Sequence, residues 1–316
     1  MKKNKVKFLI IELLLLALAF FFVWKIFDQN VVEPRVAVIL PESGDKRWDA
    51  LIKGMKQSAA ENNVHMIICN TDEIDGPEAE RELIKEQKDN DIDGFIIYPA
   101  PGYETENMLK KECGNKPYLL IADSLAVKEG ETASPTIQPD YREIGRWIGE
   151  QLRTKNQKIG IIADWKMSEA VQAEISGLTE VLAGSGSEVS WCIYRRKDQN
   201  IVERMMEETK TDALVVLDAG ALEELGELAE NGKYEGADIY GVGYSLKTIA
   251  LLDKGNIQGL IVPDGYEIGY KSVEEMAGKI EDRFYKMQGH TTEYKALSEE
   301  KFSMDDDLER FLYSYE

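Results

Sequence analysis

From residue 36 to residue 262 the chain alternates short apolar runs with longer amphipathic stretches, and this alternation restricts the fold more than any other feature. The runs read as strands at Val36–Leu40, Val64–Asn70, Gly94–Tyr98, Tyr118–Ala122, Lys158–Ala163, Val189–Tyr194, Ala213–Leu217, Asp238–Gly243 and Ile257–Val262. Amphipathic stretches fall between them, clearest at Trp48–Glu61, Glu78–Lys88, Ile144–Leu152, Ala170–Leu182, Ile201–Thr209, Leu222–Asn231 and Ile268–Lys286. They repeat apolar residues at spacings of three and four, as a helix with one buried stripe does. Strand followed by helix, repeated, is the rhythm of a parallel sheet, so the fold class is α/β.

A seven-residue motif occurs twice, as Pro139-Asp140-Tyr141-Arg142-Glu143-Ile144-Gly145 and as Pro263-Asp264-Gly265-Tyr266-Glu267-Ile268-Gly269. In each, the aspartate can cap a helix, the glutamate three residues later can reach back to the cap, and the proline holds the preceding backbone extended. The repeat predicts two similar lobes, each with a strand crossing into a new helix at this motif.

The N-terminal stretch FLIIELLLLALAFFFVWKIF, residues 8–27, is about as long as the roughly 20 residues that cross a bilayer core as a helix. Glu12 and Lys25 lie near its ends, where long side chains reach headgroups. Lys2, Lys3, Lys5 and Lys7 precede it, which places the N-terminus in the cytoplasm and everything after residue 30 outside. A cleaved signal is the alternative, since Ala17-Leu18-Ala19 offers a small-x-small site, but Phe20-Phe21-Phe22 follows where a polar stretch is needed. The expectation is a single-pass protein of the cell membrane with its folded body outside the cytoplasm.

Charge and composition narrow the function. The net charge is −20, and because residues 1–30 hold five lysines against Glu12 and Asp28, the remainder carries −23. Such a surface repels nucleic acid. Cys69, Cys113 and Cys192 are odd in number and widely spaced, which predicts buried free thiols rather than a disulfide framework or a metal knuckle. Two histidines, His65 and His290, leave no metal constellation and no evident general base. Neither G-x-G-x-x-G after a strand nor G-x-x-x-x-G-K-[ST] occurs, and Gly184-Ser185-Gly186-Ser187 follows a helix, so it reads as a loop. No enzyme activity, cofactor or metal is expected.

With these segments in view, residues 35–316 resemble the type I periplasmic sugar-binding proteins of the ribose-binding kind, which share a core with lactose-repressor-type regulators. The resemblance rests on the order and spacing of VAVILPESGDKRWDALIKGMKQSAAENN, DGFIIYPA, KPYLLIADS, DYREIGRWIGEQL, KIGIIADW with SEAVQAEISGLTEVL, DALVVLDAGALEELGELAENGKYEGADIYGVGY and GLIVPDGYEIGYKSVEEM. It implies two Rossmann-like lobes joined by three crossovers near Ile137, Asp264 and Thr291, closing over a solute at the carboxyl ends of the strands. The boundaries that follow are 1–30 for the tip and anchor, 31–137 with 265–291 for the first lobe, and 138–264 with 292–316 for the second. A membrane span stands where a DNA-reading helix-turn-helix would precede the core, which sets the regulator branch aside.

Carried over residue by residue, the resemblance implies that Trp48 stacks on a sugar face, beside Arg47 and Asp45, and that Asp123, followed by Ser124, accepts hydrogen bonds from vicinal hydroxyls. In the second lobe the usual arginine falls on Gln172 and the usual asparagine on Asp218, while Trp165 is a candidate second stacking wall. Gly243 and Pro263 stand where the family has an aspartate and a glutamine, so the usual hydrogen-bonding set is incomplete. Asp45, Asp123 and Asp218 would load the cleft with negative charge unless Arg47, Arg195 and Arg196 pair with them. The implied function is capture of a sugar-like solute for an ABC importer; sensing through a membrane kinase, or a scaffold that binds no small molecule, are the alternatives.

Overall fold

Strand β1 (Arg35–Ile39) shows how the apolar runs are used. Its alternate residues enter two different cores, Val36 and Val38 on one face and Ala37 and Ile39 on the other, as a strand covered on both sides must. The computed structural model describes residues 2–27, 33–126, 133–164, 168–196, 199–299 and 311. The chain divides into two units, 1–33 and 34–316.

The first unit holds helix α1 (Lys2–Phe27). Its described side chains, at 8 and 11–23, are all exposed. Among the described residues no helix is long and apolar enough to cross a membrane. The span expected over 8–27 thus rests on the sequence alone.

In the second unit, β1 is followed by a 3₁₀ turn at Lys46–Trp48, α2 (Asp49–Glu61), β2 (His65–Ile68), α3 (Pro77–Lys88), β3 (Gly94–Ile97), α4 (Thr105–Cys113), β4 (Tyr118–Ile121) and β5 (Thr136–Pro139). The chain continues through α5 (Tyr141–Leu152), β6 (Lys158–Asp164), α6 (Glu169–Leu182), β7 (Glu188–Arg195), α7 (Ile201–Met205), β8 (Ala213–Val216), α8 (Ala219–Leu228), β9 (Asp238–Val242), α9 (Leu246–Asp253) and β10 (Gly259–Pro263). It ends in α10 (Gly265–Glu281), β11 (His290–Thr292) and β12 (Tyr294–Ser298). Two six-stranded sheets result, ordered β11-β5-β4-β3-β1-β2 and β12-β10-β9-β8-β6-β7. Every pairing is parallel except that of β12 with β10. In each sheet the order reverses beside its first strand, at β1/β3 and at β6/β8, the point where α/β sheets hold ligands at the strands' carboxyl ends.

The chain passes between the sheets three times, from β5 to α5, from β10 to α10, and from β11 to β12. Helix α5 packs on α6 and α10 packs on α2, so each motif helix leaves the sheet of its preceding strand and joins the other. The repeated motif accounts for both ends of this device. Asp140 accepts from Glu143 N at 3.0 Å and Asp264 from Glu267 N at 2.8 Å, capping the two helices identically. Gly145 and Gly269 then lie against the backbones of Glu174 and Leu51, where any side chain would collide.

Three strands carry no apolar signature: β5 (Thr-Ile-Gln-Pro), β11 (His-Thr-Thr) and β12 (Tyr-Lys-Ala-Leu-Ser) form at the crossings, by pairing along a sheet edge already built. Three helices stop short of their expected ends, at Met205, Leu228 and Glu281. Cys69 and Cys113 are buried as expected, but Cys192 is exposed, because β7 is an edge strand and Cys192 lies on its outer side.

Candidate ligand-binding site

The carboxyl ends of the two sheets meet. Tyr98, just past β3, feels the charges of Asp123 after β4, Arg47, Tyr244 after β9 and Asp164 at the end of β6, and burial pushes its hydroxyl well above the ordinary tyrosine range. Ala50, at the start of α2, is packed into the core beneath the second sheet.

Asp123 occupies the junction. The preceding Ala122 has φ +56°, a left-handed conformation that costs a non-glycine residue about 1 kcal/mol or more. It is held there from both sides: its N–H donates to Ile137 O at 2.8 Å and its carbonyl accepts from the Tyr141 hydroxyl. This turn directs the Asp123 carboxylate at the start of α6, where Oδ1 accepts from Ala170 N at 3.0 Å and from Ser124 N at 2.8 Å. Only 3 % of Asp123 is exposed. Burial pushes it up to about 6, against the hydrogen bonds from Ser168, Ala170 N and Ser124 N, which pull it down.

Trp48 lies in the core beside Leu51 and Met55, with 7 % of its surface exposed. Its Nε1 donates to Pro41 O at 2.9 Å, Tyr98 meets the ring edge-on at 5.4 Å, and the Arg47 guanidinium lies 4.8 Å from the ring centroid. Arg47 also pairs with Glu42 at 3.3 Å and lies 3.9 Å from Asp45, whose Oδ1 accepts from Arg47 N at 2.9 Å. Asp218 accepts from Arg195 Nη1 at 3.1 Å while capping α8 through Ala221 N at 2.7 Å. Arg195 reaches Glu224 at 3.1 Å as well.

Each of the three expected acids therefore has its own partner: Arg47 for Asp45, the start of α6 for Asp123, Arg195 for Asp218. Arg47 and Arg195 are each shared with a second carboxylate, Glu42 and Glu224, and Asp123 is met by N–H donors rather than by a cation. Gln172 is exposed on α6 and donates to Glu169 at 3.4 Å. Ser124 lines a cavity of about 190 Å³ with Gln138, Tyr141, Ala170 and Thr291. Trp165 lies outside the described residues. Among the described residues no group of three or more His, Cys, Asp or Glu side chains is placed to hold a metal ion.

Sequence reasoning passed over Tyr98, Tyr141, Tyr244 and Glu174, which gather around Asp123. One of them was signalled. Glu174 interrupts the apolar stripe Val171, Leu178, Leu182 of α6 and is buried with it. Burial pushes its carboxyl well above the ordinary range, and the Asp123 charge adds to the effect.

A family model described as a periplasmic binding protein domain matches residues 36–283. The chain belongs to that family. Among solved structures, this periplasmic binding protein is similar to a glucose-galactose binding protein from Geobacillus stearothermophilus, with TM-score 0.74 and 18% identity over 86% of this chain and 99% of that one. It is also similar to a carbohydrate transporter solute binding protein from Agrobacterium radiobacter in complex with D-arabinose, with TM-score 0.77 and 16% identity over 88% and 98% of the two chains. Among curated proteins it is 29% identical to catabolite control protein A of Staphylococcus aureus strain N315 over 153 residues, 48% of this chain and 44% of that one. The chain thus spans less than half the length of the curated relatives it matches.

Proposed function

We propose that this periplasmic binding protein captures a sugar or sugar-like solute between its lobes, closes on it by hinge motion, and delivers it to an ABC importer. The observation that carries the reading is the junction itself: two sheets, parallel but for β12 and linked by three crossings, bring Tyr98, Asp123, Asp164, Asp218 and Tyr244 to their carboxyl ends. Aromatic faces and hydrogen-bonding acids are what a sugar's apolar face and hydroxyls require. The ion pairs of Asp45 with Arg47 and of Asp218 with Arg195, and the N–H donors on Asp123, favour a neutral solute over a cationic one. Relatives of the same fold were solved with D-arabinose, α-D-tagatopyranose and myo-inositol, which makes pentoses, ketohexoses and inositols the first compounds to try.

We further propose that residues 8–27 anchor the protein in the cell membrane with residues beyond 30 outside. The support is the length of the apolar stretch and the four lysines before it.

Calorimetric titration of the full chain in detergent with pentoses, hexoses, polyols, amino sugars and polyamines tests the first proposal. Binding of a neutral sugar is expected, and preference for a polyamine would refute the charge argument. Protease added to intact cells tests the second: the folded body should be digested while the extreme N-terminus is protected. A trimmed protein released into the medium would defeat it.

A further inference from the structure

The amino ends of the first sheet form the face by which the chain enters the folded body. His65 N donates to Pro34 O at 2.8 Å and Asp93 N to Arg35 O at 2.7 Å, which gathers the starts of β1, β2 and β3 at the point of entry. Helix α10 descends to the same face. Gly269 lies against Leu51, near the start of α2, whereas Met276 lies against Gly94, the first residue of β3. Glu281 ends the helix about 7 Å beyond Met276, at 1.5 Å per residue. Because β3 pairs with β1, a strand spacing of about 4.8 Å, the end of α10 lies near the entry and not at the far edge of the sheet.

A turn follows the helix, closed by Phe284 N donating to Asp282 Oδ1 at 2.8 Å and by Tyr285 N donating to Asp282 O at 2.9 Å. Lys279 Nζ donates to the Tyr285 carbonyl at 2.6 Å and ties the turn to α10. Among the described residues beyond 33, Phe284, 76 % exposed, and Tyr285, 36 % exposed, are the one adjacent pair of exposed large hydrophobics. The Arg283 guanidinium lies 4.7 Å from the Phe284 ring centroid. Glu281 and Asp282 precede the turn, but among the described residues neither Arg283 nor Lys286 is ion-paired with an acid, in a body that carries an excess of acids. An exposed ring flanked by cations without acid partners suits the headgroup region of a bilayer, where rings sit at the polar boundary and cations meet phosphates.

We propose that Arg283, Phe284, Tyr285 and Lys286 form a lipid-contact surface that seats the first lobe on the membrane. The inference rests on the reading of residues 8–27 as a membrane anchor. Residues 28–33 span at most roughly 20 Å when fully extended, so an anchor ending at residue 27 keeps the entry face within that distance of the bilayer. Such a tether holds the lipid at high effective concentration, and a contact of four residues then suffices. Phe284 enters the headgroup layer while Arg283 and Lys286 meet lipid phosphates. Tyr103 is more exposed, at 88 %, but it follows β3 at the opposite, carboxyl end of the same lobe and stays in water.

Photolabelling reads the contact in the unaltered chain. The full chain is placed in nanodiscs of phosphatidylcholine and phosphatidylglycerol, a fraction of which carries a diazirine at the headgroup end of one acyl chain, and labelled peptides are mapped by mass spectrometry after irradiation. Label is expected over residues 8–27 and on the peptide holding Phe284 and Tyr285, and not on those holding Tyr103 or Met206, which is also exposed. Phe284→Asp replaces an exposed ring with a charge; it should melt with the parent, keep the label over 8–27 and lose most of the label at the turn. Label over 8–27 with none at the turn overturns the proposal. So does label at Tyr103 or Met206 equal to that at the turn, or label at the turn that Phe284→Asp leaves unchanged. A chain that stays outside the nanodiscs and takes no label overturns the anchor reading with it.

Discussion

Gly269→Ala should destabilise this protein although alanine is the better helix former. A methyl on Gly269 would fall 2.9 Å from the carbonyl carbon of Leu51 and 3.0 Å from Met55 N, and nearer still to the Leu51 carbonyl oxygen. Backbone atoms cannot swing aside as a side chain does, so α2 and α10 must part by roughly 1 Å in a seam whose axes normally lie about 8–10 Å apart. The seam holds Leu51, Met55, Ile268 and Met276, all in the core of the first lobe. Overpacking of this kind costs about 3 kcal/mol, and the gain in helix propensity returns about 1 kcal/mol, for a net loss of about 2 kcal/mol. At this chain length that lowers the Tm by about 4–8 °C. Gly278, on the same helix, is the control: its added methyl would lie 3.5 Å from the Tyr285 ring, an ordinary contact. Gly278→Ala should therefore raise the Tm by about 2–4 °C through propensity alone. Differential scanning calorimetry of the two variants decides the matter, and a Gly269→Ala protein that melts with or above Gly278→Ala would refute the seam.

Two further outcomes follow from buried charge. Glu80 accepts from Ala100 N at 3.0 Å and burial pushes it up to about 8, so the stability it lends in acid is lost as the pH rises from the ordinary carboxyl range to about 8. Glu80→Gln keeps the acceptor and cannot ionise; at pH 9 it should be more stable than the parent by on the order of 2 kcal/mol, and an equal slope of Tm against pH in both proteins would contradict the assignment. Asp218→Ala leaves the buried Arg195 with Glu224 and the Gln199 carbonyl and uncaps α8, which should cost about 3 kcal/mol in chemical denaturation; a loss under 1 kcal/mol would show that the pair is not structural.

The α/β class, the central strands and the two capped helices were legible because burial on both faces forces continuous apolar runs and because Asp140 and Asp264 cap as their spacing predicts. The crossing strands were not, since Thr-Ile-Gln-Pro and His-Thr-Thr form only on an edge supplied by the rest of the sheet. At the site, the position of Asp123 after an apolar strand was informative, but its partner was not. A helix start nearly fifty residues away in sequence occupies that carboxylate, and no local pattern announces it. Trp48 shared a stripe with Leu51 and Met55, and the structure places it in that core. The reduction of charge by Arg47 and Arg195 depends on which side chains fold towards each other, which residue types alone leave open.

The clamp reading is tested most directly by neutron scattering from the full chain in contrast-matched detergent, with and without whichever sugar binds in calorimetry. Binding should reduce the radius of gyration of the protein, because the three crossings allow one lobe to turn on the other. A sugar that binds and leaves the radius unchanged would contradict the account.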